Sequence, residues 1–174
     1  MFNMLATTYR HMETEAREEI SFLLGEFGGK ESEISYAGVS GLLVCKTNLD
    51  PLEVIHKIRN IVENEPWKVR YVLRLIPIDI VVNTDLADIK NAVENLATRI
   101  RQDETFRVTV EKRRSNIRSN EIIEAIASAI DRKVSLEKYD WMVLVEVVGK
   151  ETGVSVIKPD SIFSAVKVKR GSPE

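Results

Sequence analysis

The sequence predicts an α/β (α+β) protein in two parts: a βαββαβ unit, then a second unit whose mixed, partly parallel sheet is flanked by helices. Three observations carry this. Short branched apolar runs alternate with helical stripes over the first 75 residues, and glycine pairs and an Asp-Pro start punctuate them. After residue 76 a strand, a helix and a long apolar strand follow one another, the order that a parallel crossover requires.

Residues 1–8 open as a short apolar strand, and Ala16, Ile20, Leu23 and Leu24 form a helical stripe that stops at Gly25 and the Gly28-Gly29 pair. The acidic residues Glu13, Glu15, Glu18 and Glu19 suit the early turns of that helix, where the dipole favours negative charge. Two strands, 34–36 and 42–46, flank Gly38 and Gly41 as a hairpin. Asp50-Pro51-Leu52-Glu53 starts the next helix: Asp50 caps, Pro51 fits the first helical position, and Glu53 reaches back. Leu52, Ile55, Ile58, Ile61 and Val62 supply its buried stripe, and residues 69–75 return as a strand. The order βαββαβ is the ferredoxin-like arrangement, a scaffold that serves many functions.

The second unit has its own start. Asp85 with Asp88 begins a helix that buries Ile89, Val93, Leu96, Ala97 and Ile100. Residues 141–148 read as a central strand, residues 153–157 as a final strand stopped by Pro159, and residues 167–171 as an exposed cationic end.

Between these lies the most informative stretch, FRVTVEKRRSNIRSNEIIEAIASAI, residues 106–130. Phe106, Val108 and Val110 alternate with Arg107, Thr109 and Glu111, so one strand face is apolar and the other wet. Lys112, Arg113, Arg114 and Arg118 follow, directly before Ser119 or Asn120 can cap a helix built on Ile122, Ile126 and Ile130. Unpaired N–H groups at a helix start already attract anions, and four cations there ask for a polyanion.

Charge is distributed to match. The net charge of −2 hides a balance of −5 over residues 1–66 and +3 over residues 67–174, with +4 in residues 99–118 alone. A polyanion contact belongs on the second half, and the overall balance argues against a protein that coats nucleic acid indiscriminately.

Catalytic motifs are wanting. His11 and His56 stand without partner ligands, no Cys-x-x-Cys or Gly-x-Ser-x-Gly occurs, and the glycines fit neither a P-loop nor a dinucleotide fingerprint. Cys45 lies in an apolar run and reads as a buried thiol. No stretch is long and apolar enough for a membrane span, and the N-terminus has no secretory pattern, so the protein reads as cytoplasmic. The expectation is a binding module, not an enzyme, with no catalytic residue, metal or cofactor.

The stretch FRVTVEKRRSNIRSNEII, the Ile126-Ala127-x-x-Ile130 helix and WMVLVEVVGKETGVSVIKP together resemble a THUMP domain, the RNA-binding module of 4-thiouridine synthetases and certain tRNA methyltransferases and pseudouridine synthases. Leu73-Arg74-Leu75-Ile76-Pro77-Ile78 is similar to the segment that opens such domains, and GVSGLLVCKTNLDPLEVI to the ferredoxin-like domain that accompanies them. One departure is Ala127, where many of these helices carry glycine. The resemblance divides the chain into a ferredoxin-like domain, 1–75, and a THUMP RNA-binding domain, 76–172. It leaves no catalytic domain over.

A pair of this kind is most similar to the adaptors of tRNA cytidine acetylation. That likeness implies a tRNA-binding adaptor, gripping acceptor stem and 3′ end, for a separate RNA acetyltransferase that forms N4-acetylcytidine. Neither membrane nor DNA is an expected partner. Carried over residue by residue, the family's basic strand end falls on Lys112, Arg113 and Arg114 and its polar helix start on Ser119 and Asn120; Arg118, directly before the helix, joins them as an RNA-binding position, with Lys158 as a further candidate. Two other functions fit the scaffold: a ferredoxin-like regulatory protein that senses a small molecule in an apolar pocket, and a different stand-alone RNA-modification subunit.

Overall fold

The computed structural model describes residues 1–171, so residue 172, the expected end of the second domain, lies outside the described residues. The described residues form two compact units, 1–78 with 160–171, and 79–159.

The first unit runs β1 (Met4–Thr8), α1 (Glu13–Glu26), β2 (Glu33–Tyr36), β3 (Leu42–Lys46), α2 (Pro51–Asn64) and β4 (Val72–Pro77). In the second come β5 (Ile80–Asn83), α3 (Leu86–Leu96), β6 (Thr105–Arg113), α4 (Ser119–Ala129), β7 (Lys133–Val134), β8 (Trp141–Val148) and β9 (Glu151–Ile157). The chain then returns to the first unit as β10 (Phe163–Ser164) and α5 (Ala165–Lys169).

The first sheet has the order β10-β4-β1-β3-β2 and is antiparallel throughout, with Leu5 opposite Val44 on one side and Ile76 on the other. Its core joins Met4, Ala6, Leu43, Cys45 and Leu75 of the strands to Ala16, Ile20 and Leu24 of α1 and Ile55, Ile58 and Val62 of α2. Leu52 is exposed and Val54 is buried instead, because Val54, Ile55, Ile58 and Val62 share the face of α2 that meets the core. Burial pushes the Cys45 thiol up to about 12, which leaves it inert at neutral pH. Two acidic residues of α1 do more than suit the dipole. Glu13 accepts the Gly41 N–H at 2.7 Å, which holds its carboxyl below the ordinary range, and Glu19 accepts the N–H groups of Arg70, Tyr71 and Val72.

The expected cationic tail is instead part of this unit. Phe163 and Ser164 pair with Leu75 and Arg74, Phe163 is wholly buried, and Lys169 donates to the Val69 carbonyl at 2.7 Å. Segment 160–171 therefore belongs with residues 1–78, and the first break falls after Ile78 instead of residue 75. Alternation within a two-residue strand is too short to be read from sequence, which is why β10 escapes the pattern.

The second sheet has the order β5-β9-β8-β6-β7; β6 runs parallel to both β7 and β8, whereas β9 is antiparallel to β8 and β5. Helices α3 and α4 cover one face, where Ile89, Val93, Ile122 and Ile126 meet Phe106, Val143, Val145 and Val147. Asp85 caps α3 through the N–H groups of Ala87 and Asp88, as its spacing predicts. Ala127 is exposed, so the missing glycine leaves the packing of α4 untouched. Among the described residues no helix is long and apolar enough to cross a membrane.

Candidate nucleic-acid interface

Parallel pairing of β6 with β8 puts the C-terminal ends of both strands at one end of the second sheet, Arg113 beside Val148. The Gly149-Lys150 turn into β9 lies there too, as does the end of β5, since Asn83 pairs with Glu151. Helices α3 and α4 both begin just after strands that end here, so their positive dipole ends share this edge. Two backbone bonds tie the segments together: Gly149 N–H donates to the Arg113 carbonyl at 2.8 Å, and Thr84 N–H to the Lys150 carbonyl at 2.9 Å. Gly149 has φ +62°, a conformation that other residues rarely adopt.

The strand runs further than alternation suggests, so Lys112 and Arg113 are its last residues and not part of the loop. Lys112 is exposed, and its ammonium donates to the Ile117 carbonyl at 3.0 Å. Arg114 is exposed and holds φ +56°, a left-handed conformation that costs an arginine about 1–2 kcal/mol. Arg118 is exposed and occupies the N-cap of α4, with Ser119 and Asn120 as its first helical residues. Neither stands at the capping position, and Arg118, which does, makes no side-chain capping bond to the first turn.

Two concavities open on this edge. One, of about 520 Å³, is lined by Lys112, Arg118, Ser119, Asn120, Glu121 and Glu124, so its two cations face two carboxylates. The other, of about 720 Å³, is lined by Asn83, Thr84, Arg114, Ser115, Asn116, Gly149 and Lys150. It carries two cations, hydroxyls and amides, and no carboxylate among its lining residues. Its lining is therefore the more cationic of the two. Lys150 and Asn83 go unnoticed in the sequence, although a Gly-Lys dipeptide between two apolar strands marks a turn that presents a cation.

Two expected site residues stand apart. Arg113 is drawn into an ion pair with Glu146 at 2.5 Å, its side chain 19% exposed against 0% for the carboxylate. Lys158 lies at the opposite end of the sheet. It follows Ile157, which pairs with Met142, six strand positions and roughly 20 Å from the Arg113 end. There its ammonium sits 4.1 Å from the centre of the Trp141 ring and 3.4 Å from the Glu104 carboxylate.

Glu104 is itself strongly tuned, first by the Arg101 N–H that it accepts at 2.9 Å, and its pKa falls from 4.5 to about 2. A depressed carboxylate contributes stability that is complete above its unfolded value and lost as pH drops toward the folded one. Glu104→Gln should thus flatten the fall of melting temperature between about pH 4.5 and 2, with little change at pH 7. An acid limb identical to wild type would show that Glu104 is not a source of that loss.

With the geometry in place, comparison with known proteins places the fold. The THUMP domain family model matches residues 83–157. No curated protein matches the sequence. Among solved structures, PH1313 from Pyrococcus horikoshii matches with a TM-score of 0.68 at 20% identity, over 91% of this chain and 55% of its own. TrmN from Thermus thermophilus matches at 0.59 and 19% identity, over 90% and 45%. A 4-thiouridine synthetase solved with RNA and ATP matches at 0.61 and 12% identity, over 94% and 42%. The chain thus spans about half the length of these proteins, and at such identities the likeness is one of fold. Family match and fold agree on the second unit: residues 83–157 carry a THUMP domain.

Proposed function

We propose that this chain binds tRNA through the Arg114–Lys150 edge of its THUMP domain and presents it to a modification enzyme. The observation that carries the reading is the 720 Å³ concavity, where two cations, hydroxyls and amides converge without a carboxylate among the lining residues. Such a surface reads backbone and 2′-hydroxyl positions more than base edges, as recognition of folded RNA requires. Lys112, Arg118 and the start of α4, where the N-cap side chain makes no capping bond, extend it. That the matched 4-thiouridine synthetase was solved with RNA supports RNA as the ligand class. Both concavities are charged and polar, which suits an anion better than the apolar pocket of a small-molecule sensor.

The chemistry, in this reading, belongs to a separate RNA acetyltransferase that forms N4-acetylcytidine, with the acceptor stem and 3′ end held here. Filter binding tests the core of it. With four phosphates met by Lys112, Arg114, Arg118 and Lys150, log affinity falls against log salt with a slope of roughly −3 to −4. Transfer RNA should bind more tightly than an RNA duplex of equal charge at both of two salt concentrations. Equal affinity for both would reduce the site to unselective charge.

A further inference from the structure

We infer that Arg113 is a positioning residue: its ion pair with Glu146 holds the end of β6 and the following turn in the shape that presents Arg114 and Lys150, and Arg113 itself touches no phosphate. The inference rests on the RNA-binding reading of this edge, but its structural half stands without RNA.

Glu146 is fully buried in β8, between Val145 and Val147, and stands directly across the parallel ladder from Glu111. A carboxylate so placed needs a cation, because burial of an isolated charge is prohibitive. Arg113, two positions beyond Glu111, supplies it at 2.5 Å. The same residue carries the main-chain link: its carbonyl accepts the Gly149 N–H, which fixes the turn bearing Lys150. The next residue, Arg114, is in the left-handed region, a conformation that persists only where its surroundings over-determine it. A neutralised pair also adds little to the field that a phosphate would feel. Arg113 thus joins both cation-bearing segments of the concavity from beneath.

Two variants separate this role from direct contact. If Arg113 met phosphate and Glu146 only restrained it, Glu146→Gln would release the guanidinium, tighten tRNA binding and steepen the salt slope by about one contact. The positioning role predicts the reverse: weaker binding, no steeper slope, and faster hydrogen exchange of the Gly149 amide in the free protein. Should Glu146→Gln fold poorly, the apolar pair Arg113→Met with Glu146→Met replaces the buried charges by packing. It should keep the wild-type slope, whereas loss of a direct contact would lower it by about 0.7–0.9. Tighter binding by Glu146→Gln, a lowered slope in the double variant, or unchanged Gly149 exchange in Glu146→Gln would overturn the inference. If wild type shows no preference for tRNA, the functional reading fails, and Gly149 exchange without RNA still decides the positioning claim.

Discussion

Alanine at both Arg114 and Lys150 is expected to weaken tRNA binding about a hundredfold, since two charge-assisted contacts are each worth about 1.5 kcal/mol. The salt slope should become shallower by about 1.4–1.8 as two phosphates lose their partners. The fold should scarcely notice. Both side chains are exposed, and alanine at position 114 meets the same left-handed penalty as arginine, so the melting temperature should stay close to wild type. Paired replacement of Lys112 and Arg118 should do less, because Glu121 and Glu124 line the same concavity and make it less attractive to phosphate. Titration by filter binding and a thermal melt check both halves. A double variant that binds as wild type, or equal losses from the two pairs, would move the site elsewhere. Arg113 is unsuited to such a test, as its removal would strand the buried Glu146 carboxylate.

The second large effect lies far from the cations in sequence. Phe163→Ala should cost the first unit about 3–5 kcal/mol, the usual loss for a fully buried phenyl ring. For a unit of this size that lowers its midpoint by roughly 12 °C or more. The ring is in the core with Leu75, Ile58 and Ile55, and Ala165 and Val168 of α5 close the same cluster. Arg59 of α2 clasps the returning segment at the Asp160 carbonyl, 2.8 Å away. By the same reasoning a fragment ending at residue 75 lacks part of its core. A Phe163→Ala protein with a wild-type midpoint would show that the returning segment is dispensable.

Much of this architecture is legible in the sequence because its signals are local. The Asp50-Pro51 and Asp85 helix starts, the four-residue spacing in α1 and the apolar run of β8 each depend on neighbours within a few positions. What escapes is long-range. β10 is two residues long and is defined by its partners 88 and 90 positions earlier, and β7 is equally short. The cation cluster can be found from its composition, but its division cannot. Whether an arginine faces water or a carboxylate depends on which strand lies beside it, and Glu146 comes alongside only when β8 joins β6 in parallel. Lys158 fails to reach the site for the same reason: β9 runs back along the sheet and carries it to the far end. Lys150 gains its place from the turn between β8 and β9, whose nearness to Arg114 follows from register alone.

Whether tRNA docks on the Arg114–Lys150 edge is decided by hydrogen exchange of the protein with and without tRNA. Docking there should slow exchange in residues 83–84, 112–120 and 149–150 and leave residues 101–104 and 158, at the opposite end, unaffected. Protection concentrated around Glu104, Trp141 and Lys158, with none along the Arg114–Lys150 edge, would contradict it.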